Sequence, residues 1–436
     1  MTELMSIFLY ENSYSIMLSQ YSNLSCMNFD TTNDQEEFIS KVDSVCTSLR
    51  SFEEECYIQD KFNEKLVPEF SKIGMLGCPI SKEYGGLGYD ILTYCKTLER
   101  IGEEGNSMRT FFSVHTSIGQ MVLQGWADGD QKKRYLPATT SGKSIMAFAL
   151  TEPEAGSDPS SMNSRYEDIG ESYLLTGKKH WIGNGTIANV MTTYARDKTT
   201  GKISAFIVDM NSSGVTKNEM KNKMGLLTIK NAQINFEGCH IPKQNLLGDV
   251  GQGLNIAYSA LIDGRLSVAA GCIGVMKDCL NETLQHSKSR RQHGSLLAKK
   301  QLIQQHISRI VIGIESSKWL TYRAACARQK LHDYVEQFKL EEEGWQSKLN
   351  RNNRAYSNLR NEADKLTAIA KFHATNTAFD CSNRSVQVFG SFGYQKTSRV
   401  AKHFLDSRAT MIYEGANEVL ELKIASGVLG NSFKAY

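Results

Sequence analysis

The prolines of this chain are confined to its front and middle. All six (Pro68, Pro79, Pro137, Pro153, Pro159 and Pro242) precede Lys243, and none occurs from there to Tyr436. A proline inside a helix removes a backbone donor and clashes with the preceding turn, at a cost of about 3 kcal/mol. So long a proline-free run suits an extended helical domain. Three stretches within it, Gly253–Gln285, Lys300–Gln329 and Ala363–Gly390, carry apolar residues at helical spacing.

The middle reads differently. SYLLTGKKHWIGNG, VMTTYARD, ISAFIVDM and NAQINFEGCHIP are short runs rich in β-branched and aromatic residues, separated by Gly, Asn and Asp turns. The front, from about Thr32 to Lys143, reads mostly helical again, as in Asp90–Gly105. The order is helical, β, helical, with no internal repeat. We expect a mainly α protein with a central β domain. The divisions are an N-terminal extension over 1–31, a helical domain over 32–146, a β domain over 147–245 and a helical domain over 246–436. Within the last, the charged stretch 334–360 reads as solvated helix extensions with a connector, or as a docking surface for a partner.

Composition removes several classes. Charged residues make up 22% and nearly balance at a net charge of +3, which speaks against a nucleic-acid binder. The ten cysteines form no C-x-x-C pair, so neither a zinc site nor a disulfide framework is expected. Reduced thiols suit a cytoplasmic protein. The N-terminal stretch has Glu3 and Glu11 and no basic region of the kind that opens a signal peptide. No apolar run approaches the roughly 18 residues that span a membrane.

The segments that carry chemistry are scattered. AFALTEPEAGSD (Ala147–Asp158) sets Thr151, Gly156 and Ser157 at a strand end and turn, where hydroxyls and backbone N–H groups can hold a ring edge and a phosphate. KKHWIGNG (Lys178–Gly185) offers Trp181. GRLSVAAG (Gly264–Gly271) follows, then SRRQHGSLLAKKQLIQ (Ser289–Gln304), QVFGSFGY (Gln387–Tyr394) and DSRATMIYEGANE (Asp406–Glu418). Read alone, each is ordinary: a turn, a core tryptophan, a solvated basic face at Arg290, a surface glutamate at Glu414 near a helix start.

Together and in this order they resemble the acyl-CoA dehydrogenase family, from EYGGLGYD (Glu83–Asp90) to the C-terminal helix. The resemblance implies an N-terminal helical domain, a middle β-barrel domain and a C-terminal four-helix bundle. It implies FAD, a homotetramer or dimer, and a thioester substrate on CoA or an acyl carrier protein. Such an enzyme removes an α-proton and passes a β-hydride to flavin N5, giving a 2,3-enoyl thioester. A base is needed, as are donors for charge developing on the thioester oxygen. The family pattern places the base at Glu414 in Ile412–Gly415. Relatives that carry the base on the G-R-L helix use the position of Gly264, which cannot serve. Thr151, Gly156, Ser157 and Trp181 match flavin-contacting positions. Arg290, Gln301, Gln387 and Gly390 match positions that reach a neighbouring subunit's FAD. Arg265, in the G-R-L motif, is a candidate substrate contact. No metal site is implied. Electrons would pass to a flavoprotein or to O₂, as in an oxidase.

The chain departs from the pattern in places. Gly183 stands where many relatives have Thr or Ser facing N5. His293 replaces a usual Phe, Ser391 a Gly and Ala416 a Thr, while Leu405 and Glu421 occupy positions that are often Arg. SMRTFFSVHTS (Ser107–Ser117) puts Arg109 in a context that resembles the carboxylate-binding arginine of glutaryl-CoA dehydrogenases. A similar run appears in acyl-carrier-protein dehydrogenases of extender-unit pathways. Arginine is a natural fork for a carboxylate or polar acyl head, so a short polar acyl group is expected, with a structural ion pair as the other reading of Arg109. Oxidation of a hydroxyacyl or aminoacyl unit on a carrier protein, and a flavin-less binding subunit, remain the alternatives.

Overall fold

The computed structural model describes residues 29–341 and 353–433. It divides into two units, Met1–Thr32 and Asn33–Tyr436. All but four residues of the first lie outside the described part, and with them most of the expected N-terminal extension. The second unit carries the helices and strands.

Its first elements are helical: α1 (Asn33–Ile58), α2 (Leu66–Lys72), α3 (Ile91–Glu104), α4 (Asn106–His115), α5 (Met121–Trp126) and α6 (Gly129–Thr140). Local signals set their ends. Asp90 caps α3 by accepting from Thr93 N–H, and Asp128 with Gln131 forms a capping box on α6. Between α4 and α5 the backbone widens into a π-helical turn, Thr116–Gln120. Such turns interrupt the regular ladder and often stand at functional sites.

The strands are β1 (Met146–Ala149), β2 (Arg165–Asp168), β3 (Ser172–Ile182), β4 (Val190–Asp197), β5 (Ile203–Asp209), β6 (Val215–Glu219), β7 (Ala232–Pro242) and β8 (Leu246–Leu247). They form one sheet in the order β6-β7-β3-β2-β4-β5-β8, with β1 pairing to β4 in parallel. Its core is continuous, from Ala147 and Tyr166 through Phe206 to Ile241. The β3–β7 ladder shifts register between Lys179 and Ile182. Trp181 sits in that irregularity with φ 60°, which turns its side chain out of the regular alternation.

The proline-free part forms three long helices: α7 (Gly253–Ser289), α8 (Gln301–Glu341) and α9 (Arg354–Phe389). They pack against one another, α3 also lies on α7, and the later α10 (Arg399–Thr410) and α11 (Asn417–Leu429) pack on α9. Helix α7 has the length and apolarity to cross a membrane, but 89% of its apolar window is buried within the protein, as the central element of the bundle. The charged stretch 334–360 is helical at both described ends, through Glu341 and from Arg354, and 342–352 lies outside the described residues. The nine described cysteines are free thiols.

Candidate active site

Glu414 lies in the turn between α10 and α11. Its backbone is left-handed, with φ 56°, a conformation that costs a non-glycine residue about 1 kcal/mol or more and persists only where the surroundings hold it. Three contacts hold it. Asn417 N–H donates to Met411 O at 3.1 Å, Arg265 Nε to Glu414 O at 3.4 Å, and Lys371 Nζ to Gly415 O at 2.7 Å. The turn thereby aims the carboxyl inward at α7, where Gly264 leaves room. A Cβ on Gly264 would fall 2.6 Å from the Glu414 carboxyl carbon.

The carboxyl is half-buried, and its Oε2 is inaccessible with no hydrogen-bond partner among the described residues. Burial pushes its pKa up to about 7, against the pull of Arg265, Arg109 and Lys371. A carboxyl that titrates near neutrality suits general-base work.

Arg109 approaches from α4 and is 1% exposed. Its Nη1 donates to Ser113 Oγ at 3.1 Å and its Nη2 to Tyr413 OH at 2.5 Å. Its Nε is buried and unpartnered. No carboxylate lies within 4.0 Å of the guanidinium among the described residues, so none of these makes the structural ion pair entertained for it. Arg265, by contrast, is tied to Asp364 at 2.7 Å, which Lys423 shares at 2.6 Å.

On the β domain, Thr151 and Trp181 are brought side by side, because His180 N–H donates to Thr151 O at 2.8 Å. Trp181 is 53% exposed and so is not the core residue a tryptophan in a strand suggests. The loop after Thr151 is pinned from below. Glu152 accepts from the Asn163 and Ser164 N–H groups and from Lys179 Nζ at 2.7 Å, with both side chains buried. Burial lowers the Lys179 pKa to about 8. Gly156 and Ser157 stand exposed on the loop, with nothing within 4 Å of a Cβ built at Gly156. At Gly183 an added Cβ would meet Val114 Cγ2 at 3.0 Å. A side chain at this position would have to displace Val114.

Arg290, Gln301, Gln387 and Gly390 are all exposed. Arg290 ends α7 and lies 5.6 Å from the Phe392 ring, just beyond Gly390. Gly390 N–H donates to Gln387 O at the end of α9. No described contact links these four to Glu414 or Trp181. Ala416 is the N-cap of α11 and offers it no side-chain acceptor. Among the described residues no cluster of His, Cys, Asp and Glu has the make-up of a metal site.

Two groups escaped the sequence reading. Lys371 and Asn417 are buried beside the turn that carries Glu414, Asn417 accepting from Lys371 Nζ at 2.8 Å. A lysine inside the otherwise apolar helical run AIAKFHA was the available signal. The Glu152–Lys179 pair left none, since its partners meet only once the sheet forms.

Family models match almost end to end. The acyl-CoA dehydrogenase N-terminal domain matches residues 32–143, the middle domain 147–239, and the C-terminal domain 251–341 and 327–429. The short-chain specific acyl-CoA dehydrogenase of Clostridium acetobutylicum is 30% identical over 406 residues, covering 92% of this chain and 100% of the relative. The chain belongs to the acyl-CoA dehydrogenase family. Among solved family structures, butyryl-CoA dehydrogenase from Megasphaera elsdenii superposes with a TM-score of 0.83 at 28% identity, over 93% of this chain and 100% of that one. An acyl-CoA dehydrogenase from Bacillus anthracis, solved in complex with FAD, also gives 0.83 at 25% identity, over 93% and 68%. The helical–β–helical order read from the sequence is the fold of this family.

Proposed function

We propose that this acyl-CoA dehydrogenase uses FAD to oxidise a short acyl thioester with a polar or anionic distal group, and that Glu414 takes the α-proton. The observation that carries the reading is the Glu414 carboxyl, held against Gly264 with a buried, unpartnered Oε2. A carboxylate so placed has no competing partner for a substrate C–H, and its raised pKa matches the task. The Glu414 N–H has no backbone acceptor among the described residues, which leaves it for the thioester oxygen.

The residues of the β domain fit FAD. A half-exposed tryptophan turned outward beside Thr151, and an open loop at Gly156–Ser157 pinned by a buried ion pair, form a cradle for a flat ring and a phosphate. When bound, FAD supplies the acceptor for the β-hydride. Arg290, Gln301, Gln387 and Gly390 would face the FAD of a second copy. Exposed Leu302, Ile312, Tyr394, Val428 and Leu429 on the C-terminal helices support such an assembly.

Arg109 supports the polar substrate. A buried guanidinium without a carboxylate is costly, and an anionic acyl head would supply the missing partner. Arg265 keeps Nη2 for a substrate oxygen, since Asp364 and Glu414 O occupy its other nitrogens. The test is the visible spectrum of the purified protein under anaerobic conditions. Butyryl-CoA, glutaryl-CoA and the same acyl groups on a carrier protein are added in turn. Bleaching of the flavin band, faster with the terminal carboxylate, is expected, and the form that bleaches it names the carrier. A flavin band that none of them bleaches would contradict the substrate class. Rapid reoxidation by air would mark an oxidase; slow reoxidation would mark a flavoprotein acceptor.

A further inference from the structure

We infer that Lys371 is a positioning residue for the reaction: it clamps the turn that carries Glu414, and its charge holds that carboxyl ready to ionise. The inference rests on Glu414 being the base. Lys371 is fully buried in the middle of α9. Its Nζ donates to Gly415 O at 2.7 Å and to Asn417 Oδ1 at 2.8 Å, and no carboxylate lies within 4.0 Å among the described residues. Asn417 is itself fixed, its Nδ2 donating to Thr375 Oγ1 at 3.0 Å. Both acceptors of the lysine belong to the residues that immediately follow the base. A neutral donor of the right length would satisfy those oxygens without the expense of burying a charge.

The charge has a second use. The groups facing Glu414 are Arg109 from α4, Arg265 from α7 and Lys371 from α9, with the Tyr413 phenol in its own turn, Cys272 on α7 and Glu418 on α11 near the lysine. Arg265 shares Asp364 with Lys423, and Arg109 turns to Tyr413 and, on the proposed function, to the substrate. Lys371 has no carboxylate partner of its own among the described residues, and it acts on Glu414 beside these two arginines. Burial lowers the lysine's pKa to about 7, and Glu414 is among the groups that draw it back up. Each charge supports the other's charged form, and the two titrate as a coupled pair.

The test uses the holoprotein carrying Lys371→Met or Lys371→Gln. The glutamine keeps a donor and loses the charge. Two quantities are followed: the acid limb of kcat/KM, and the pH at which Glu414 ionises, taken from the infrared carboxyl band that disappears in the matching Glu414→Gln protein. Both variants are expected to move both quantities upward by about one pH unit or more, roughly a tenfold loss of kcat/KM below the limb, recovered above it. A loss of rate at every pH with ionisation unmoved would reduce Lys371 to a structural clamp and overturn the inference. Where these variants do not fold, Asn417→Asp sets a carboxylate against the lysine and is expected to move the limb in the same direction; an unmoved limb overturns it equally. Glu414→Gln that still removes the α-proton would sink the base assignment instead, a separate failure.

Discussion

The carboxyl group of Glu414 occupies the place that a side chain at Gly264 would take, with a Cβ there only 2.6 Å from the carboxyl carbon. Two segments 150 positions apart in the chain are thus cut to each other, and the Glu414 carboxyl reaches this place because α7 is bare at one turn.

Gly264→Ala separates that fit from folding. Alanine is worth about 1 kcal/mol over glycine in a helix interior, which offsets the local crowding. The variant is expected to melt within a few degrees of the parent. The displaced carboxyl is expected to slow anaerobic flavin reduction by about a hundredfold, as misplacement by an ångström does. Calorimetry and stopped-flow absorbance check the two halves.

Glu414→Gln should stabilise the protein in alkaline but not in acidic solution. In the folded chain Glu414 titrates at about 7, above the roughly 4.3 of an unfolded glutamate. Below the unfolded value both states are neutral and nothing is lost. Between the two values only the unfolded chain ionises, so stability falls as pH rises, and above 7 the loss is complete. Glutamine escapes it. Allowing for solvent screening of a half-buried group, the variant should gain about 1–3 kcal/mol at pH 8 and almost none at pH 4. Denaturant unfolding at the two pH values reads the difference.

Arg109→Met should discriminate between substrates. For an acyl group ending in a carboxylate, loss of the fork is expected to lower kcat/KM by a hundredfold or more, on the order of 3 kcal/mol. For butyryl-CoA the change should stay within about threefold. Equal effects on both would assign Arg109 to its bonds with Tyr413 and Ser113 alone.

Lys179→Met leaves Glu152 buried with amide donors but no cation. Breaking one side of such a pair costs about 3–5 kcal/mol. Unfolding midpoints should fall accordingly, and flavin retention on gel filtration should weaken as the loop at Gly156 loosens. Adding Glu152→Gln should restore part of the stability.

Much of this was legible in the sequence, and for identifiable reasons. The absence of proline after Pro242 and the helical spacing in Gly253–Gln285 follow from backbone chemistry and gave the long helices directly. The β runs announced themselves by β-branched and aromatic residues between turns, as in SYLLTGKKHWI, which is β3. Glu414 was legible only through motif order, since a glutamate before a glycine has no local signature of burial. Its environment was not legible at all. Gly264 read as a lost base position, not as room for the Glu414 carboxyl; Lys371 drew no reading; Arg109 read equally as half of an ion pair. Each of these depends on which helix faces which, and that is decided by packing between segments far apart in the chain, as Arg109 with Tyr413 and Lys371 with Gly415.

The most direct test is a single-turnover reaction of butyryl-CoA deuterated at the α-carbon, mixed anaerobically with the FAD-loaded parent and with FAD-loaded Glu414→Gln. The parent should bleach the flavin band with a primary isotope effect, and the glutamine variant should bind the thioester yet leave the band intact on the same timescale. Bleaching by Glu414→Gln at the parent's rate would contradict the account, and the base would have to be sought elsewhere in the site.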